Sequence, residues 1–290
     1  MILPKKISLL FKSFYLSFYY FITCLFSNRK NDDHDYEIIV SLTTFPARIK
    51  TIFLTIESIL AQKTNVKYKV ILYLSENEFE NKKIPWLLKK QKNRGLNIEF
   101  VKDNIKSYKK LHYTLKNHPS HPILTADDDI IYPNDWINNF YIEHKEHPNN
   151  ILYARGHRVL LNENGEPIDY TLFSPPIPYK PLMLVIPTGV SGILYPPRSL
   201  HHDVLNSALF LSLAPNADDI WYRIMSLLND TSCILIYKKS IHFTPILGTQ
   251  FKSLRKVNIS NQGINNNKQL LNLINYYNID LTKFLDRDNS

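Results

Sequence analysis

From Tyr36 to Asp129 the chain alternates between short, nearly continuous apolar runs and longer stretches in which apolar residues recur every three or four positions. "YEIIVSLTTFP" is of the first kind and predicts a buried strand that runs into a loop closed by Pro46. "RIKTIFLTIESILAQ" is of the second kind: Ile49, Ile52, Phe53, Ile56, Ile59 and Leu60 fall on one face, which predicts an amphipathic helix. The pattern then repeats. "YKVILYLS", "LNIEFVKD" and "HPILTADDD" read as strands, separated by helices over "PWLLKKQKN" and "YKKLHYTLKNHP". Strand and helix in turn predict an α/β domain, a doubly wound and mostly parallel sheet with helices on both faces.

The second half is less regular. "DWINNFYIEHKEHP" predicts a helix, and "NILYARG" and "HRVLLNENGEPIDY" predict strands, with Asn164-Gly165 as a hairpin turn. The Pro-rich passage "LFSPPIPYKPLMLVIPTGVSGILYPP" predicts loops and edge segments rather than central strands. "APNADDIWYRIMSLLND" has the form of a capped helix start, and "SCILIYKKSIHFTP" that of a late strand. Beyond Gly248 the chain turns Asn-rich before an amphipathic helix near "NKQLLNLINYY". Three regions result: an apolar segment over 1–30, a domain over 36–248, and a polar linker with a short helix over 249–290.

The first region departs from the strand-helix pattern. "KKISLLFKSFYLSFYYFITCLFSNRK" is apolar and aromatic, interrupted by Lys12 and flanked by Lys5, Lys6, Arg29 and Lys30. Its uncharged part, Ser13 to Asn28, is shorter than the roughly 20 residues that span a bilayer, so a spanning helix requires Lys12 to snorkel. Bulky aromatics and the lack of a small-residue cleavage site argue against a secretory signal. The segment is read as membrane-associating, either interfacial or spanning, with an ordinary core helix as the alternative. Basic flanks on both sides leave its orientation open.

With 290 residues, 44% of them hydrophobic, the chain is long enough to bury one sizeable core. A net charge of +9 favours anionic partners, without choosing among nucleotides, phosphorylated sugars, lipid headgroups and nucleic acid. Two distant cysteines, Cys24 and Cys233, do not make a disulfide framework and suit a reducing compartment.

Candidate chemistry centres on Asp127, Asp128 and Asp129, at the carboxyl end of the fourth strand. Ligands of open α/β sheets bind outside those ends. Three adjacent carboxylates repel one another, and a divalent cation that prefers carboxylate and phosphate oxygen, Mn²⁺ or Mg²⁺, relieves the repulsion. In an extended segment Asp127 and Asp129 point one way and Asp128 the other, unless a turn at the strand end reassigns them. The plainer alternative is a solvated acidic turn, or an N-cap ahead of "DWINNF".

In this setting "IIVSLTTFPARI", "YKVILYLS", "LNIEFV" and "ILTADDDIIYP" together resemble the GT-A glycosyltransferases, above all bacterial members that build surface polysaccharide or lipooligosaccharide. The resemblance covers roughly residues 36 to 245. It implies a GT-A, Rossmann-like catalytic domain whose DxD motif holds a divalent cation on the diphosphate of a nucleotide sugar. Asp127 and Asp128 match motif positions near the ribose and sugar. Asp127 and Asp129 are the implied metal ligands, with Asp129 the more direct, and His242 in "KSIHFTP" matches a C-terminal metal-binding histidine. The loop "SLTTFPAR" matches the nucleotide-binding loop: Thr43 and Thr44 would offer hydroxyls to base or ribose, and Arg48 a cationic fork to phosphate. Thr44 is equally placed to cap a helix after Pro46.

Lys109 and Lys110 lie where such enzymes contact the nucleotide, and are as easily read as solvated lysines. Asp218 and Asp219 resemble the acidic pair that supplies the general base of inverting transfer, with Asp219 preferred; both could instead cap their helix. Gly189, Ser191 and Gly192 match an acceptor-side segment where glycine allows close backbone approach. Trp136 and Trp221 are read as core.

The implied partners are a nucleotide-sugar donor, a glycan or lipid-linked acceptor and a membrane surface, with no nucleic acid. The implied place is the cytoplasmic face of the inner membrane. No P-loop, G-x-G-x-x-G, CxxC, H-E-x-x-H or G-x-S-x-G stretch is present to support NTPase, dinucleotide, zinc or hydrolase readings. The rivals that remain are a sugar nucleotidyltransferase, which would be expected to carry a Gly-rich N-terminal loop with a lysine, and a catalytically inactive, membrane-attached carbohydrate-binding protein.

Overall fold

A computed structural model describes residues 5–31, 35–249 and 265–289. In chain order the elements are α1 (Lys5–Phe26), β1 (Ile38–Thr43), α2 (Ile52–Leu60), β2 (Tyr68–Ser75), α3 (Trp86–Lys92), β3 (Leu96–Val101), α4 (Lys109–Asn117), β4 (Ile123–Ala126), β5 (Ile130–Ile131) and α5 (Trp136–Glu146). There follow β6 (Ile151–Tyr153), β7 (Gly156–Arg158), β8 (Pro181–Leu182), β9 (Val185–Pro187), β10 (Ile193–Tyr195), α6 (Ser207–Leu213), α7 (Asp218–Leu228), β11 (Cys233–Leu235), β12 (Thr244–Pro245), α8 (Asn266–Tyr277) and α9 (Leu285–Asn289).

The central sheet has eight strands in the order β3-β2-β1-β4-β10-β6-β11-β8, parallel except for β10 and β8. Alternation along each strand sorts side chains to the two faces. Ile38, Val40 and Leu42 of β1 join a core with Ile56 and Ile59 of α2, while Ile39 packs on the opposite face with Ile71 and Tyr73. The chain runs outward from β1 through β2 to β3, then returns to place β4 on the other side of β1. That reversal makes a switch point beyond the carboxyl ends of β1 and β4, the place of the crevice in which open α/β sheets take their ligands.

Several expectations need correction. The helix expected over this stretch forms as α2, but all nine of its residues are buried, so it has no solvent-facing side. The reason is α1, which lies across it, with Phe21 edge-on to Phe53 and Tyr20 and Cys24 in the shared core. The Pro-rich passage does supply the edge strand β8, but it also supplies β10, which sits between β4 and β6. Its "ILY" contains no proline and is fenced by Gly192 and Pro196, so the ladder donors are intact there. The segment around Asn164-Gly165 turns as expected, with Gly165 at φ +79°, but only a single bridge, Leu161 to Pro167, flanks the turn. Helix α7 begins after Ala217 with no side-chain cap. Cys24 and Cys233 are free and buried.

Candidate active site

Five stretches of chain meet at the crevice: the loop after β1, the start of α4, the loop after β4, the segment ahead of β10, and the start of α7. The loop after β4 turns at Asp128 and Asp129, so the strand alternation ends with Ala126. The turn sends Asp127 one way and pairs its two successors, which replaces the expected Asp127/Asp129 pairing. Arg48 bridges that second pair: its Nη1 lies 2.5 Å from Asp128 Oδ1 and its Nη2 3.0 Å from Asp129 Oδ2. Nη2 also reaches the Thr249 carbonyl at 3.5 Å. The Thr44 hydroxyl donates to Asp128 Oδ2 at 2.5 Å. Because α2 starts only at Ile52, Thr44 caps no helix and serves the acidic turn.

Asp127 belongs to a second cluster. Its Oδ1 accepts from Lys110 Nζ at 2.9 Å, and its backbone N–H donates to the Tyr132 hydroxyl at 2.8 Å. Lys110 Nζ is also 3.4 Å from Asp218 Oδ2, an ion pair outside hydrogen-bond geometry, while Asp218 Oδ1 accepts from Ser107 at 2.8 Å. Asp219 Oδ2 accepts the Gly189 N–H at 3.0 Å. The two acids of α7 therefore do not cap their own helix; they face the crevice. A Cβ on Gly189 would lie 2.8 Å from Lys110 Nζ and 3.1 Å from Asp219 Oδ1, so glycine there lets the backbone close over the cluster. Gly192, at φ +104°, meets the indole of Trp136 in the same way.

Electrostatics set the two clusters apart from ordinary surface acids. Five carboxyl groups, Asp127, Asp128, Asp129, Asp218 and Asp219, face two cations, Arg48 and Lys110. Burial pushes Asp129 up to about 7 against the pull of Arg48, and raises Asp128 too. Asp219 keeps some exposed surface but is ringed by protein, and burial together with Asp218 lifts it to about 7. Burial works against the Lys110 ammonium, yet Asp127, Asp218 and Asp219 outweigh it and hold its pKa well above lysine's ordinary value. Among the described residues the site is short of positive charge. Carboxylate oxygens are the donors a hard divalent cation takes, so the donor set fits Mn²⁺ or Mg²⁺.

This shortage has a measurable sign. Asp129 keeps its proton in the fold to about 7 but loses it near 4 when unfolded, so the folded state binds more protons across that window. Stability from this group is fully present below pH ~4 and is lost as pH rises through about 7. Buried His112 and half-buried His118 and His144, whose pKa values burial lowers, have the opposite slope. Subtraction removes them: the melting temperature of Asp129→Asn minus that of the unaltered protein is expected to rise from pH 5 to pH 8, at about 2–4 °C per kcal/mol. A flat difference would contradict the buried, proton-holding carboxyl.

Other sequence candidates fall elsewhere. The Thr43 hydroxyl donates to the Tyr73 carbonyl at 2.9 Å, a bond within the sheet. Lys109 is not solvated but buried, paired with Glu78 at 3.1 Å and with Asn104. His242 is exposed, with Nδ1 2.9 Å from the Phe243 carbonyl oxygen. Among the described residues, three His, Cys, Asp or Glu side chains with ligand atoms within 4.8 Å of one another occur at His201, His202 and Asp203, not at the triplet with His242. Ser191 donates to the Ile241 carbonyl at 2.7 Å, and Trp136 and Trp221 are core residues. Ser107 and Tyr132 were missed. Tyr132 follows the triplet in "IIYP" and could have been flagged by adjacency; Ser107 carries no sequence signal for contact with α7.

No family model and no curated protein matches the sequence. Among solved structures, the chain is similar to S. aureus TarS 1-349 in complex with UDP, at 14% identity and a TM-score of 0.47, over 70% of this chain and 59% of that one. It is similar to a mannosyltransferase from Pyrobaculum calidifontis in complex with GDP-Man and Mn²⁺, at 14% identity and a TM-score of 0.34, over 51% and 45% of the two chains. A CMP:2-keto-3-deoxy-manno-octonic acid synthetase complexed with CTP matches at 11% identity and a TM-score of 0.41, over 68% and 88%. The chain thus spans about three fifths of the TarS chain and less than half of the mannosyltransferase.

Proposed function

We propose that this chain is a metal-assisted glycosyltransferase of the GT-A type, which moves a sugar from a nucleotide-diphosphate donor to a hydroxyl of a glycan or lipid-linked acceptor. The observation that carries the reading is the meeting, at the sheet's switch point, of an Arg48-bridged acidic turn with a buried Lys110–Asp218–Asp219 cluster. A diphosphate leaving group needs cations and an acceptor hydroxyl needs a base, and this crevice supplies both kinds of group.

Asp127 and Asp129 are the carboxylates that would hold the cation; His242 does not join them in one ligand group. When bound, the cation supplies charge to the departing diphosphate. Arg48 and Lys110 add fixed positive charge beside it. Asp219 takes the acceptor proton as the acceptor oxygen bonds to the anomeric carbon; the bond to the nucleotide breaks, and the diphosphate leaves with its electron pair. Attack opposite the leaving group inverts the anomeric centre. The wider role is surface polysaccharide assembly at the cytoplasmic face of the inner membrane, which suits the basic chain and its apolar N-terminal helix.

Isothermal titration of UDP-, GDP-, CMP- and ADP-sugars with Mn²⁺ tests the donor site. One donor is expected to bind only with metal, and Asp129→Ala to weaken it by at least about 10-fold, the loss that even outer-shell partners of a metal cost. Turnover should release nucleoside diphosphate; pyrophosphate release would point to a nucleotidyltransferase, and metal-independent binding would overturn the reading.

A further inference from the structure

Helix α1 is amphipathic the wrong way round for a soluble surface helix. Its hydroxyl-bearing residues Ser13 and Tyr20, with Cys24, are buried against the domain at 3%, 3% and 0% exposure. Its opposite face carries Phe11, Phe14, Tyr15 and Phe18, exposed by 64%, 62%, 65% and 59%. These recur at intervals of three and four, one continuous aromatic ridge. Patches of this kind mark a surface with an apolar partner.

The buried face is fastened to the domain. Ser13 donates to the Pro245 carbonyl at 2.7 Å, and Tyr20 donates to Asn134 Oδ1 at 3.0 Å. Lys90 donates to the Leu25 carbonyl. Arg94, in a buried pair with Glu57 at 2.8 Å, also holds Ser27 Oγ and the Arg29 carbonyl, each at 3.0 Å. The helix is about 33 Å long, enough to cross a bilayer. Crossing would strip these bonds and uncover α2 with its buried Glu57, so length does not decide the matter.

We propose that α1 lies flat in the interface of an anionic lipid bilayer, its aromatic ridge among the headgroups and acyl chains and its other face fixed to the domain. Lys12, Arg29 and Lys30, all exposed, complement anionic headgroups, and an in-plane helix of this kind sinks about 5–10 Å. Pro245, which Ser13 holds, pairs with Ile130 directly after the acidic triplet, so the bilayer fixes the height of the active site. The inference takes up the membrane-side acceptor of the proposed function, yet is tested without any sugar.

The full chain is sedimented with phosphatidylcholine vesicles, with and without phosphatidylglycerol. Binding is expected to rise at least tenfold with the anionic lipid, to fall in high salt, and to drop at least tenfold in a Phe11→Ser, Phe14→Ser, Phe18→Ser variant whose metal-dependent donor binding is unchanged. Protein bound to the vesicles is expected to be released by an alkaline carbonate wash, as a helix lying in the interface is. Retention through that wash would show a spanning helix and overturn the proposal. So would equal binding by the triple variant, or a solution dimer that the triple variant dissolves while neither form binds vesicles. Loss of donor binding in the unaltered protein would sink the transferase reading and leave this one standing.

Discussion

Replacing Asp219 by Asn is expected to lower kcat by about 10²–10⁴, the contribution of a positioned general base, while the donor Kd stays within a few-fold. Asn keeps the shape and can still accept the Gly189 N–H that Asp219 Oδ2 accepts at 3.0 Å, so the fold has no reason to change. The pH profile gives a sharper readout. A base lifted to about 7 by burial and by Asp218 makes kcat rise with pH through neutrality and then level off. Asp129 titrates in the same range, but under the proposed function its ionisation governs donor and cation binding and drops out at saturating donor and metal. The rising limb in kcat should therefore vanish in Asp219→Asn and persist in Asp129→Asn wherever saturation can be reached. An Asp219→Asn enzyme with more than a tenth of the original kcat would remove Asp219 from the reaction.

How much of this was legible beforehand follows from the range of the interactions involved. The first four strands and their helices were readable because each is a local pattern: apolar runs of strand length, three- and four-residue spacing, proline at the loop. The burial of α2 was not, since its outer face is covered by α1 from before the first strand, and no window of sequence contains both. The central position of β10 was hidden for a related reason. Proline density describes a whole passage, whereas a strand needs only three residues free of it.

Within the site, residue types were easier to read than pairings. Asp127 to Asp129, Asp218 and Asp219 stood out as acids at the end of a strand and the start of a helix. Their counter-charges were less visible: Arg48 sits 80 residues from Asp128 in sequence, and Lys110 is 17 from Asp127. The like-charge problem of the triplet was first answered with a metal alone. The fold answers part of it with Arg48 and Lys110, and two acids are still lifted to about 7, chiefly by burial and then by their carboxylate neighbours.

That balance makes Lys110→Met the most disruptive single change expected in the crevice. The side chain is 8% exposed, and methionine nearly matches its volume, so packing is kept while the charge is lost. Asp127, Asp218 and Asp219 are then left without their shared cation, and breaking a buried pair from one side costs about 3–5 kcal/mol. The loss should depend on pH in a definite direction. Below about 7 Asp219 holds its proton and relieves part of the repulsion, so the drop in melting temperature is smaller at pH 5.5 than at pH 8. Without the ammonium that lowers it, Asp219 is pushed further up, and the rising limb of kcat moves to higher pH with it. Mn²⁺ should recover more stability in the variant than in the unaltered protein at pH 8, since the carboxylates released by Lys110 are oxygen donors facing an added cation. A variant that melts normally at pH 8, with its pH limb unmoved, would show that Lys110 balances none of this charge.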